Sequence, residues 1–402
     1  MSSSDLPLKG IRVIDLTRVV AGPTCTMILG DMGAEIIKVE LPNEGDITRH
    51  LPPIINGEST EFVAVNRNKK SITLNMKTPE GLHILKELIR RADIFILNLR
   101  TASIKSYGIT YEDVQRLNPR IIYCLVTGYG ETGPYADRPA YDYLIQAETG
   151  LMGMTGEPDG PPLRCGIGIS DVSTGLYSTI AILGALHARN RNGKSIKLSI
   201  SLFDATLATL SYLAQETLVT GIDPPRTGLM HPSGGALYSA YFTKDNKLIA
   251  FDAMEEWHWK LLCEILGLTQ LMTDSRFDTY KKRVSAEGRK ELAEIFKKTV
   301  KKFESERLLG ELMKAGVPCG NVNMLHDALA APQVRANNML IDTKHPLLGD
   351  IKTLNTPIRS APTIAQANSV PPLLGQHTDE VLEQVLHYDA SKIAELRKKG
   401  VL

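Results

Sequence analysis

Apolar positions along this chain fall into short continuous runs separated by stretches of helical period. Gly10–Thr17, Glu35–Glu40, Ser71–Met76, Asp93–Leu99, a run ending at Thr127 and Lys194–Leu202 read as strands. Near-continuous apolar runs of this kind belong to strands covered on both faces, as in a parallel sheet. Helical segments lie between them. A small-residue helix follows Ala21-Gly22-Pro23 to Gly33, and a second runs from Thr78-Pro79-Glu80 to Arg91. Its Thr-Pro start suits an N-cap followed by proline at the first helical position. Another starts at Tyr141-Asp142 and extends to about Met152, and Phe203–Thr220 reads as one long apolar helix. Strands alternating with helices predict an α/β fold, a Rossmann-like large domain with a parallel sheet and helices on both faces.

The pattern changes near Gly221. Asp223-Pro-Pro225, His231-Pro232 and Gly234-Gly235 read as a linker and glycine turn, followed by a hairpin (237–243 and 247–252) about Asp245-Asn246. Lys/Glu-rich helices then fill about 255–316, and helices at 378–387 and 390–399 close the chain. This predicts a first large-domain segment at 1–222, a smaller α+β domain at 223–330 and a return segment at 331–402 that completes the large domain.

The most informative stretch is Arg164–Tyr177, with Asp171 at its centre. Gly166–Ser170 reads as a short extended segment, after which Val172, Leu176, Ile180 and Leu183 recur at helical spacing to His187. Asp171 thus falls at a strand-to-helix junction, where unpaired N–H groups favour an anion. A carboxylate held there is expected to stay ionised at neutral pH, as a carboxylate nucleophile requires. Helix capping is the plainer role for an aspartate in this position.

Composition narrows the partners. A net charge of +1 over 402 residues gives no global field for nucleic acid or an anionic membrane. No apolar run approaches the roughly 20 residues that a membrane span needs. Five cysteines without a C-x-x-C point to reduced thiols inside the cell, and the nine histidines form no H-E-x-x-H or similar cluster, so no metal is expected. MSSSDLPLKG lacks a signal-peptide core, which suits a soluble protein of the cytoplasm, or of the mitochondrial matrix if a leader has been removed. Gly22, Gly30 and Gly33 do not form G-x-G-x-x-G, so Glu40 is weakly placed as a ribose-binding acid and close helix–strand packing explains the glycines better.

Ligands of open α/β sheets bind outside the carboxyl ends of the strands. That rule brings Arg18–Ala21, Leu74–Lys77, Asn98–Arg100 and Thr127–Gly130 to one rim, with Lys77, Arg100, Lys105 and Arg138 around one crevice. Several cations beside exposed backbone amides suit a ligand with more than one phosphate.

Ordered blocks along nearly the whole chain carry a resemblance. They are LKGIRVIDLTRVVAGP, DMGAEIIKVE, NRNKKSITLNMKTPEG, LVTGYGETGP, RPAYD, GISD, GVPCG and PPLLGQHTDEVL. The chain resembles the family III CoA-transferases, and its tail is most similar to the succinate–hydroxymethylglutarate branch. The resemblance implies that Asp171 is a nucleophile and that Val20, Ala21, Leu74, Asn75, Met76, Lys77, Asn98, Leu99 and Arg100 contact coenzyme A. It places Tyr141 and Asp142 beside the acyl group and Gly234-Gly235 in a mobile glycine loop. It implies a homodimer of two chains threaded through each other, coenzyme A as the carried substrate, and no tightly bound cofactor. Leu41 and Ser106 stand where formyl-CoA transferases have CoA-binding arginines, Val20 stands for a glutamine, and their four-glycine loop is shortened to two. Arg18 and His231 are the cations available for the far carboxylate of a dicarboxylate. The expected reaction passes CoA from an acyl-CoA such as succinyl-CoA to a small carboxylic acid, a dicarboxylate such as hydroxymethylglutarate, glutarate or itaconate, through aspartyl anhydride and aspartyl-CoA thioester intermediates. An α-methylacyl-CoA racemase is the alternative, disfavoured because a phenol at Tyr141 is a poor proton acceptor near neutral pH.

Overall fold

The computed structural model describes residues 6–402. Its main sheet has six strands, β1 (Arg12–Leu16), β2 (Glu35–Glu40), β3 (Lys69–Thr73), β4 (Ile94–Leu97), β5 (Ile122–Thr127) and β6 (Ile196–Ser201). Every pairing is parallel and the order is β3-β2-β1-β4-β5-β6. The order reverses between β1 and β4, and at such a switch point the carboxyl ends of the two strands open a crevice.

Side chains alternate across the sheet, and both faces are buried. Ile14, Leu16, Ile37, Val39, Phe95 and Leu97 pack on Ile84, Leu85 and Leu88 of the helix Pro79–Arg90 and on Val381 and Leu382 near the C-terminus. Val13, Ile36, Ile94, Ile96, Ile122 and Cys124 pack on Cys25 and Leu29 of α1 (Ala21–Asp31) and on Ile182 of α2 (Ile169–Asn192).

Two compact units emerge. One comprises the chain up to Thr149, Gly166–Ser211 and Pro332–Leu402 and holds the parallel sheet. The other comprises Gly150–Cys165 and Tyr212–Ala331. It carries an antiparallel sheet of Tyr238–Phe242, Leu248–Asp252 and Cys319–Asn321. Its core gathers Trp259, Phe251, Phe277 and Phe296.

The elements depart from the sequence reading in instructive places. Phe203–Thr220 is two helices, Leu202–Thr209 and Ser211–Thr220, broken where Ser211 adopts φ 52°. The helix after Tyr141 ends at Glu148, because Gly150 takes φ 85°. No strand precedes Asp171: α2 begins at Ile169 and runs past His187 to Asn192.

The inward face of α2 is also not the expected one. Leu176 and Ile180 of the apolar stripe are 47% and 64% exposed, while Ser170, Ser173, Thr174, Ser178 and Thr179 are buried. Three of these hydroxyls back-bond, Ser173 Oγ to Ile169 O at 2.8 Å, Thr174 Oγ1 to Ser170 O at 2.6 Å and Thr179 Oγ1 to Gly175 O at 2.8 Å, while those of Ser170 and Ser178 are buried without a hydrogen-bond partner among the described residues. Small residues let α1 approach closely: a Cβ on Gly175 would lie 2.7 Å from Ala21 O and 2.9 Å from Thr24 Cβ. By length and composition the 24-residue α2 could cross a bilayer, contrary to the expectation that no segment could, yet half of its most apolar window is buried in the protein.

Candidate functional site

Asp171 is the third residue of α2, whose N-cap is Gly168. The capping role falls to Asp142, at the first position of α3 (Asp142–Glu148). Asp142 Oδ1 accepts from Ser170 N at 2.7 Å and from Asp171 N at 3.3 Å, and its Oδ2 accepts from Gln146 Nε2 at 2.6 Å. Gln146 is fully buried and also donates to Ile167 O, which ties the entry of α2 to α3. The Asp171 carboxylate receives no hydrogen bond among the described residues. Gly168 lies beside both acids: a Cβ there would sit in ordinary van der Waals contact, 3.6 Å from Asp142 Oδ1 and 3.7 Å from Asp171 Oδ2.

This environment overturns the expectation of a carboxylate fully ionised at neutral pH. Burial pushes the Asp171 carboxyl up to about 7, and the negative charges of Asp142 and Glu61 push the same way. Desolvation and like charge outweigh the helix dipole here. Glu61, in the first turn of the helix Thr60–Val65, escaped the sequence reading because it lies 110 positions upstream without a motif.

Ala21 stands one helical turn from Asp171, since its carbonyl abuts Gly175. The β1–α1 turn leading to it crosses the switch point. Asn98, after β4, clasps that turn: its Oδ1 accepts from Arg18 N at 3.1 Å and its Nδ2 donates to Arg18 O at 2.8 Å. Val20 is the N-cap of α1, and the Arg18 side chain is exposed without an ion pair among the described residues.

The other expected contacts divide. Leu74 and Met76 are buried, so only their backbone reaches the rim. Asn75 bonds the C-terminal segment through Val401 O and Gly400 O, and also accepts from Lys77 N. Leu99 packs partly buried against the sheet core. Lys77, Arg100 and Lys105 are exposed and unpaired among the described residues. Arg138 pairs with Glu148 and lies over the rings of Tyr129 and Tyr135 at 5.0 and 4.5 Å. Glu40 is no ribose ligand. It is buried, takes a two-pronged bond from Arg49 at 2.8 Å and accepts from Ser71 Oγ at 2.6 Å. The glycines behave as the packing view expects, a Cβ on Gly22 falling 2.4 Å from Thr17 Cβ.

His231, Gly234 and Gly235 belong to the other unit. His231 stacks on Tyr238 at 4.6 Å, and its Nδ1 accepts from Ser233 N at 3.2 Å. That bond uses the lone pair a cationic ring would lack, and it places the proton on Nε2, facing the Tyr212 hydroxyl at 3.2 Å. His231 thus supports the turn through the bond from Ser233 N. The glycines are packed: a Cβ on Gly234 would meet Tyr238 Cβ at 2.6 Å, and one on Gly235 would meet Arg289 Cγ at 2.6 Å.

The family model for CoA-transferase family III matches residues 8–378. The chain belongs to CoA-transferase family III. A succinyl-CoA:glutarate CoA-transferase of Mus musculus is 40% identical over 397 residues, covering 98% of this chain and 90% of its own. A succinate–glutarate CoA-transferase of Agrobacterium fabrum is 37% identical over 386 residues, covering 94% and 96%. A solved structure of a CaiB/BaiF family protein from Brucella suis superposes with a TM-score of 0.85 at 37% identity, covering 94% of this chain and 99% of that one. This family III CoA-transferase thus uses coenzyme A as the group it carries, and the two relatives just described are named for transfer involving succinate and glutarate.

Proposed function

We propose that this enzyme moves coenzyme A from succinyl-CoA to a small dicarboxylic acid of the glutarate type, with Asp171 as the nucleophile. The observation that carries this is a carboxylate at a helix start whose usual capping duty another acid performs. Support for the substrates comes from the dicarboxylate transferases that the chain is similar to.

In the proposed cycle an Asp171 oxygen attacks the thioester carbonyl, forming a mixed anhydride and releasing CoA thiolate. The thiolate attacks the aspartyl carbonyl, so succinate leaves and an aspartyl-CoA thioester remains. An acceptor carboxylate displaces CoA to give a second anhydride, and the thiolate takes the new acyl group, returning Asp171 as carboxylate. Each step exchanges acyl groups between similar leaving groups, so no step climbs steeply. A raised Asp171 basicity goes with a stronger nucleophile once the proton is gone. Val20, Ala21, the 74–77 backbone, Asn98, Leu99 and Arg100 are proposed to receive coenzyme A, with Lys77 and Lys105 as the free cations for its phosphates. Tyr141 and Asp142 border the acyl group, and Arg18 meets the far carboxylate. Racemisation has no support from Tyr141, whose side chain is 64% exposed.

A homodimer belongs to the same proposal. Support comes from the unpartnered apolar stripe of α2 and from Leu218 and Val219, 79% and 75% exposed on the helix Ser211–Thr220.

The deciding experiment mixes enzyme, succinyl-CoA and hydroxylamine and maps the modified peptide by mass spectrometry. Asp171 should become the hydroxamate. Transfer from succinyl-CoA to glutarate that survives Asp171→Ala at full rate refutes the nucleophile.

A further inference from the structure

The turn between β1 and α1 is held by side chains from distant parts of the chain. Thr17 N donates to Asp15 Oδ1 at 2.9 Å, and Thr17 O accepts from Lys38 Nζ at 2.8 Å. Both backbone groups of Arg18 bond to Asn98, and Val19 N donates to Asp46 Oδ1 at 3.1 Å. Lys38 and Asp46 also pair directly at 2.9 Å, their side chains 0% and 1% exposed. Between them stands Val19 at φ 71°. A β-branched residue in that region is a true outlier, costing about 1–2 kcal/mol, and persists only where its surroundings enforce it.

We infer that the buried Lys38–Asp46 pair is a positioning device for the reaction, holding Val19 in its left-handed conformation so that Val20 and Ala21 meet the acyl-CoA beside Asp171. This rests on the proposed coenzyme A contact at those two residues. The geometry favours it over a plain stability role. A buried ion pair costs heavily in desolvation and is often replaceable by apolar groups without loss. Here each partner spends a second bond on the turn, Lys38 on Thr17 O and Asp46 on Val19 N. Thr48 supports Asp46 by donating twice to its Oδ1, through N at 3.1 Å and Oγ1 at 3.0 Å. The far end of the turn fits against α2 at Gly175, so a relaxed Val19 would move Ala21 relative to the helix that carries Asp171.

The test uses the full-length protein with succinyl-CoA and glutarate. Asp46→Asn should raise the KM for succinyl-CoA about tenfold, and the KM for glutarate should rise with it, because Arg18 of the same turn is assigned the far carboxylate. Adding Val19→Gly, which makes the positive φ inexpensive, should restore most of the succinyl-CoA KM. If Asp46→Asn does not fold, Lys38→Met/Asp46→Asn removes both charges together, and the same pattern is expected. Variants that lose thermal stability but keep both KM values overturn the positioning role, as does a rise that Val19→Gly leaves unrelieved. A wild-type protein that neither binds CoA by calorimetry nor transfers it sinks the functional reading itself, and this inference with it.

Discussion

Asp142, and not Asp171, accepts the first free amide hydrogens of helix α2, at 2.7 Å from Ser170 N and 3.3 Å from Asp171 N. The arrangement separates two tasks that one aspartate would otherwise combine. Asp142 satisfies the helix start, and Asp171 keeps its oxygens free at the cost of a neighbouring negative charge.

That charge gives the first prediction. With the Asp171 carboxyl at about 7, reactive anion accumulates only as the pH passes through neutrality. The acid limb of kcat/KM for succinyl-CoA should therefore rise near pH 7. Asp142→Asn removes the repelling charge but keeps an oxygen to accept from Ser170 N. Its acid limb should move to lower pH, though not to the ordinary aspartate value, because burial is the larger cause. An unmoved limb across a full pH–rate profile would separate Asp142 from the ionisation of Asp171.

A second consequence concerns stability. The Asp171 carboxyl titrates near 3.8 when unfolded and at about 7 when folded, so between these values the folded state binds more protons. Stability then falls as pH rises through that window and levels off above it. Asp171→Asn lacks this loss. Its Tm should match the wild type near pH 4 and exceed it increasingly toward pH 8, while transfer is abolished. Parallel Tm curves would show that the carboxylate is less strained than its surroundings imply.

The strands are the legible part of the fold, because a strand covered on both faces carries a short run of mostly apolar residues. Glu35–Glu40 was placed to the residue, buried Lys38 included. Cys319–Asn321 passed unseen, since a three-residue Cys-Gly-Asn strand carries no periodicity. The Leu340–His345 and Gly349–Leu354 hairpin was missed too, with its Asp and Lys residues at exposed positions. Helix α2 is legible but its inward face is not, because small Ser and Thr side chains look polar in sequence yet are buried, three of them back-bonded to the helix. At the candidate site, the surroundings of Asp171 are not legible in the sequence. Asp142 caps from 29 positions away and Asp46 holds Val19 from 27, and neither spacing leaves a pattern.

Gly175 is a third point of test. A methyl group there would lie 2.7 Å from a backbone oxygen, Ala21 O, which cannot swing aside. Gly175→Ala should cost roughly 1–3 kcal/mol of stability as an overpacking substitution. It should also raise the KM for succinyl-CoA by pushing Ala21 away from Asp171. Chemical denaturation and steady-state kinetics on one preparation read both effects, and a fully stable variant with normal KM would mean the helices separate at no cost.

Arg18 holds its backbone in the Asn98 clasp and leaves its guanidinium unpaired. Arg18→Gln should raise the KM for glutarate about tenfold or more, as losing a charge-assisted bond to a carboxylate does. A monocarboxylate acceptor such as butyrate should be affected little. An equal effect on both acids would place the far carboxylate elsewhere.

The exposed apolar stripe of α2 yields the last prediction. Leu176 and Ile180 lie four residues apart on one face, 47% and 64% exposed, on the helix that presents Asp171 from its first turn. Leaving such a stripe in water is unfavourable by about 25 cal/mol for each Å² of apolar surface, so a second copy of the chain has reason to cover it. Analytical ultracentrifugation of the wild type should give the mass of a dimer. Leu176→Gln/Ile180→Gln should shift the mass toward a monomer without unfolding the parallel-sheet unit, since neither side chain contributes to its core. Transfer activity should fall with the dimer fraction. A wild type that sediments as a monomer at full activity would leave the stripe without the occupant proposed for it.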